Sequence, residues 1–514
     1  MITIRISKKL FHHIFDLLNA LFYTYQVLLQ YRLYSWADFP LGWDPVIYAS
    51  AALRNLNSGF PFSLFMRGRF SLYALMLPIF GLFIDVCKVE AVLPVLLTIM
   101  YASLSSYLVY KSTRSNILAA LSTFLTYYSI RNVYFTSMFH ANLLAFIFII
   151  YASIRMTKSF EETHKWILIM LTTVAYTHIF TFVFLGLSAF IYYIKDISNV
   201  IKYHFHNRKI TIIIISLFSI LLILNYKYIP FLYGGMVEKS NLGNNYWFHE
   251  ANIGDYLMIY NNEWWALAII SLSTIYTYFE SKEYPVLRLL SIFGIVSFIA
   301  PLLSIVFPGA IPPSRITLLN QYQVILPISV YLLANRISPK LNLPTIGNID
   351  INKTQVISIL FVLIFLVQAP ETYKLYNFMF KVNMSPNISE DVYSSLKEVR
   401  TILEKNEYPT PVVVLYCQIN FARIWSYYAY IALDNGYSYY GKYNDAMSLK
   451  SPSELTYLDH FQLIRAIELY EPIKSADIQK FERYTLVVIE SFYSLDIEHE
   501  ISYSDGIYTI IIEK

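Results

Sequence analysis

Runs of apolar residues, separated by short polar pieces, recur along this chain from near residue 14 to near residue 372. Few folds accept that pattern. A helix bonds its own N–H and C=O groups, so a run of roughly 20 apolar residues can cross a bilayer with no backbone group unpaired. Such runs lie near 14–34, 91–110, 116–130, 141–154, 166–179, 180–194, 210–226, 264–279, 286–306, 316–334 and 354–372, about eleven in all. The 514 residues are 56% hydrophobic and 14% charged, where a soluble domain carries about a quarter charged residues. The expected class is an all-α polytopic membrane domain. No basic patch is interleaved with aromatics, which excludes nucleic acid as a partner. Cys87 and Cys417 are too far apart in sequence to suggest a disulfide framework or a metal spacing. There is no Walker A loop, no dinucleotide fingerprint and no nucleophile elbow.

Charge then sets the topology. Arg5, Lys8 and Lys9 precede the first run without a cleavage site, as in a signal anchor with its N-terminus in the cytoplasm. The run FSLYALMLPIFGLFI, 70–84, is short for a crossing and contains Pro78. Taken as an outer-face helix, it leaves Lys111, Arg114, Arg155, Lys158, Lys165, Lys195, Lys202, Arg208 and Lys209 on the inside. Taken as a span, it moves several of these outside. The first option satisfies the positive-inside rule. The outer side then receives a first loop, 35–90, a long aromatic and amide-rich loop, 227–263, and the tail. Membrane domain and tail divide as 1–373 and 374–514. In the tail, 389–406 and 453–470 read as helices and 411–417, 485–491 and 506–513 as strands, a small α/β extracytoplasmic domain.

The polar residues at the outer ends carry the chemistry. In GWDPVIYASAALRNLNSG, Asp44 precedes Pro45 at the start of a helical pattern that ends near Gly59. It reads as a helix cap, as a general base at the membrane surface, or as both. Asp38 reads as a solvated loop acid, or as a partner that raises the pKa of Asp44 or helps it hold a divalent cation. His140 and His178 read as interfacial hydrogen-bonding residues, or as donors to a phosphate or sugar oxygen. Arg315, behind a proline pair, reads as a snorkelling arginine or as a clamp on a lipid phosphate, with Arg54, Arg67 and Arg69 able to add charge. Glu250, Asp255 and Glu263 lie among the aromatics of the long loop, a mixture that suits sugar recognition and interfacial packing equally.

Three of these stretches resemble a known class. GWDPVIYASAALRNLNSG is similar to the first-loop motif of the GT-C membrane glycosyltransferases, YALMLPIFGLFI to the juxtamembrane helix behind it, and PPSRITLLNQYQVILP to a late P-x-R span. The Ile- and Tyr-rich composition resembles that of archaeal membrane proteins. The resemblance covers about residues 10–335. It implies a GT-C-like fold and inverting transfer of a sugar from a polyprenyl-phosphate donor to a glycan, lipid or protein acceptor at the outer face. It matches Asp44 to the class's first-loop catalytic aspartate and Arg315 to its lipid-phosphate arginine. Two departures stand out. Pro45 takes the place of the second acid that many members carry, which leaves the base and any metal requirement open. NNEWW, 261–265, lacks the Asp of the oligosaccharyltransferase signature, which favours a single sugar over a whole oligosaccharide. The rival readings are a lipid-linked glycan flippase or transporter and a non-catalytic scaffold.

Overall fold

A computed structural model describes residues 20–32, 39–41, 43–57, 60, 71–128, 139–224, 264–281, 284–306, 319–337, 393, 394, 397, 412–416, 431, 432, 438–441, 484–490, 501–504 and 508–512. They are mostly helical. Residues 20–32 form a helix. Then come α1 (Trp43–Asn57), α2 (Leu72–Gly81), α3 (Val86–Thr113), α4 (Asn116–Tyr128), α5 (His140–Arg155) and α6 (Phe160–Thr177). They are followed by α7 (Ile179–Tyr193), α8 (Ile197–His206), α9 (Arg208–Leu224), α10 (Trp264–Glu280), α11 (Pro285–Val306) and α12 (Tyr322–Ile337). Most helices lie within a few residues of the apolar runs. The run at 354–372 and the helix expected at 453–470 fall outside the described residues.

Among the described residues, α3 is long and apolar enough to cross a membrane, and α7 with α8 passes the same test as a pair bent by 104°. Within the stretch 70–84, Leu72–Gly81 forms a helix of 10 residues, about 15 Å at 1.5 Å per residue. That is half the thickness of a hydrocarbon core. Asp85 starts the next helix: its carboxylate accepts the backbone N–H groups of Cys87 at 2.8 Å and Lys88 at 3.2 Å, capping α3.

The chain falls into two units. The first comprises 1–32, 68–73 and 93–382. Here α5 packs on α6, α7 on α6 and α11, α10 on α11 and α12, and α12 on α4. Tyr23 ties the first helix to α3 by donating to the carbonyl of Ile99 at 2.6 Å, and its ring meets the edge of Tyr127 on α4. Buried hydroxyls turn back onto their own helices: Thr98 to Pro94, Thr126 to Ser122, Thr177 to Thr173 and Ser188 to Phe184. Each carries a polar group through apolar surroundings without leaving it unbonded.

The second unit comprises 33–67, 74–92 and 383–514. Phe39 packs on Tyr393, and Lys397 lies over the Tyr393 ring at 4.8 Å, one helical turn on. So the segment before α1 touches the start of the tail. A Cβ on Gly81 would meet Leu56 at 3.0 Å and Val86 at 2.7 Å, which shows how closely α1 and α3 approach the end of α2. The tail holds β1 (Val412–Tyr416), β2 (Ser438–Gly441), β3 (Tyr484–Glu490), β4 (Ile501–Ser504) and β5 (Tyr508–Ile512) in one sheet of order β2-β1-β3-β5-β4. β1 pairs parallel with β2 and β3; β5 pairs antiparallel with β3 and β4. Val412 faces Ser438, and Val488 faces Ile510. The three strands expected from the sequence are β1, β3 and β5. The four-residue strands β2 and β4 are additions.

Gly294 on α11 gives a direct test of the helix packing. A Cβ there would lie 2.8 Å from Thr274 Cγ2 on α10, and a β-branched neighbour cannot swing away freely. Gly294→Ala is expected to destabilise the protein by about 1–3 kcal/mol. Adding Thr274→Ser, which removes that methyl and keeps the hydroxyl, restores the melting temperature measured in detergent.

Candidate functional site

His178 is a one-residue joint between two helices. Its backbone N–H bonds the carbonyl of Val174 at 2.8 Å and closes α6; its carbonyl accepts from Phe182 at 3.1 Å and opens α7. Its backbone is extended, with φ −153° and ψ 101°. The side chain caps α7: Nδ1 accepts the backbone N–H of Thr181 at 3.2 Å. The Thr181 hydroxyl lies 2.9 Å from the same nitrogen, and the Asn142 amide nitrogen 3.2 Å away. Asn142 also donates to the Thr181 hydroxyl at 3.2 Å. A nitrogen that accepts a backbone N–H holds a lone pair, so the neutral ring carries its proton on Nε2. Nδ1 is used by the fold, and Nε2–H is the group with which this imidazole donates.

Asn142 lies two residues into α5, which His140 begins. His140 is fully buried, and its Nδ1 lies 3.2 Å from the hydroxyl of Tyr73, itself fully buried in the first turn of α2. The rings are tilted, with centroids 5.8 Å apart. The expected histidines therefore belong to one polar end of the helix pair α5 and α6. Asn142 joins that end to His178, and the Tyr73 hydroxyl adds to it. At the other end of the pair stand Arg155, whose guanidinium lies over the rings of Tyr151 and Trp166, and Lys158 over Tyr284. Histidine and amide groups mark one end, and basic groups with aromatics mark the other.

A second polar cluster lies in the helix core. The Tyr101 hydroxyl donates to Gln321 Oε1 at 2.7 Å, Gln323 Nε2 donates to Tyr101, and Gln321 Nε2 donates to the Leu319 carbonyl at 3.0 Å. Tyr101 and both glutamines are fully buried. Tyr73, Thr181 and this cluster were not singled out from the sequence. The signal for the cluster was present in LNQYQ, 319–323, which places three amides in four residues at the edge of an apolar run.

Asp44 is the second residue of α1, so the helix begins one residue ahead of the expected cap. Asp38, Arg67, Arg69, Glu250, Asp255, Glu263 and Arg315 lie outside the described residues. Among the described residues, no group of three or more His, Cys, Asp or Glu could hold a metal ion.

No family model and no curated protein matches the chain. A solved structure, the Archaeoglobus fulgidus oligosaccharyltransferase in complex with Zn and sulfate, is similar over 91% of this chain and 68% of its own, at 13% identity and a TM-score of 0.49.

The two functions of His178 can be separated. His178→Ala removes the cap of α7 and is expected to cost about 1 kcal/mol in stability. His178→Asn keeps a capping oxygen and should melt near the parent, while lacking the Nε2 donor. Comparing melting curves with the retained binding of a phosphate-bearing ligand tells the cap from the donor.

Proposed function

We propose that the protein is a membrane glycosyltransferase that moves a monosaccharide from a polyprenyl-phosphate donor to a hydroxyl acceptor on a glycan, lipid or protein at the outer face. The observation that carries this reading is local. The G-W-D-P step opens a helix, α1, with Asp44 in its first turn, and a helix too short to cross a bilayer follows before α3. That is the order the motif resemblance implies.

In this reading Asp44 is the general base. As the acceptor oxygen forms its bond to the anomeric carbon, the hydroxyl proton passes to the Asp44 carboxylate, and the bond from that carbon to the phosphate oxygen breaks. The electron pair leaves with the polyprenyl phosphate, and the anomeric centre inverts. The donor is already activated, so positioning and base assistance supply most of the acceleration. Arg315, with Arg67 and Arg69, offsets the charge of the leaving phosphate. The Nε2–H of His178 and the ring of His140 donate to donor oxygens, and Asn142 keeps His178 in the tautomer that does so. Glu250, Asp255 and Glu263 accept hydrogen bonds from sugar hydroxyls. Asp38 supports Asp44, and the two carboxylates are where a divalent cation would be held. The proton transfer itself needs only the carboxylate.

The expected result is that Asp44→Asn lowers sugar transfer from polyprenyl-phosphate donors by about 10²–10⁴-fold while donor binding and melting temperature stay near the parent. Arg315→Ala should weaken donor binding. Unchanged transfer by Asp44→Asn would remove the base, and unchanged donor affinity in Arg315→Ala would remove the phosphate clamp.

A further inference from the structure

The sequence KDISNVIKYHFHNRK, 195–209, read as a basic inner loop, contains the helix α8, set at 104° to α7. At 100° per residue its side chains fall into three sectors. Val200, Tyr203 and His204 form the first, which faces the protein. Ile197, Ile201 and Phe205 form the second, continued by Ile194 just before the helix; all are exposed, Phe205 at 71%. Lys202 and His206, with Lys195, form the third, also exposed.

The first sector is fastened by a chain of hydrogen bonds. The Thr211 hydroxyl gives its proton to a backbone carbonyl, that of His204 at 3.2 Å or Asn207 at 3.3 Å. Its lone pair therefore takes the Nδ1–H of His204 at 2.8 Å. The Nε2 lone pair of His204 then accepts the Nε2–H of His164, on α6, at 3.2 Å. Burial keeps both rings neutral: it pushes His164 down to about 4, helped by the neighbouring His204, and lowers His204 as well. The His164 ring stacks on Phe160 and meets the edge of Tyr203. This fastening fixes which side of α8 faces outward.

It also places α8 at the basic, aromatic end of α5 and α6. An apolar stripe beside a lysine stripe, lying across the direction of an apolar helix, fits the boundary between acyl chains and headgroups. Four cations, Lys195, Lys202, Arg208 and Lys209, stand against one carboxylate, Asp196, in this segment, with Glu161 and Glu162 on the first turn of α6. We propose that α8 lies in the headgroup layer of an anionic lipid leaflet at the inner face, with Ile197, Ile201 and Phe205 among the acyl chains and Lys195 and Lys202 at the phosphates. This goes beyond glycosyl transfer and needs only that the chain sits in a membrane.

The test uses the full chain with Cys87→Ser and Cys417→Ser, carrying one added cysteine in place of Phe205, Asn199 or the lipid control Leu96, labelled with an environment-sensitive fluorophore. In nanodiscs rich in phosphatidylglycerol, the labels at 205 and 96 are expected to be quenched by nitroxide lipids. Aqueous iodide should quench the label at 199 several-fold more than the one at 205. In phosphatidylcholine discs, or with Lys195→Gln and Lys202→Gln together, the label at 205 should move toward water while that at 96 stays. A water-exposed 205 beside a lipid-quenched 96 in the anionic discs overturns the proposal, as does equal protection of 205 in both lipids. Protection that appears only in discs holding two chains assigns the stripe to self-association and overturns it too. A water-exposed 96 defeats the membrane reading itself.

Discussion

A polar group buried between apolar helices costs free energy unless it finds a partner inside the protein, because no water is there to offer one. Much of the helical unit follows from that constraint. Threonine and serine hydroxyls bond the carbonyl four residues back on their own helix, at Thr98, Thr126, Thr177 and Ser188. Side chains that cannot do so reach across helices. Tyr101 bonds Gln321 over 220 positions of sequence, and Tyr73 bonds His140 over 67. Each cross-helix bond fixes a distance and a rotation that apolar packing alone leaves loose.

The same constraint gives His178 two uses. One ring nitrogen replaces a cap that α7 would otherwise lack, and the backbone N–H of Thr181 that it accepts fixes the proton on the other nitrogen. A neutral imidazole held this way is a fixed hydrogen-bond donor with no reorganisation left to make. That property suits the recognition of phosphate or sugar oxygens. It also explains how a histidine can separate two helices by a single residue without leaving their ends unpaired.

The helices themselves were legible in the sequence. An apolar run that must bond its own backbone has one regular conformation open to it, and α3, α7 and α10 lie within a few residues of the runs 91–110, 180–194 and 264–279. Helix α8 was hidden because Lys202 and the flanking Lys195, Arg208 and Lys209 dominate a reading by charge, although Ile197, Ile201 and Phe205 recur at helical spacing. Strands β2 and β4, SYYG and ISYS, are too short and too polar to show a period. His140 and His178 stood out as histidines at the mouths of apolar runs. Their partners did not, because Tyr73 and Thr181 are ordinary residues in such segments until the packing brings them to a ring nitrogen. Asp44 at the start of α1 was legible from Gly42, Pro45 and the helical spacing that follows.

Direct displacement of a polyprenyl phosphate is the centre of the proposed chemistry, and the stereochemistry of the product tests it. Purified protein in nanodiscs would be given a polyprenyl-phosphate monosaccharide of known anomeric configuration and an acceptor pool, and the new glycosidic linkage read by NMR. A single in-line attack assisted by one base predicts an inverted anomeric centre, with polyprenyl phosphate released in step with the sugar transferred. A retained centre, or sugar that reaches the acceptor with no release of polyprenyl phosphate, would contradict it.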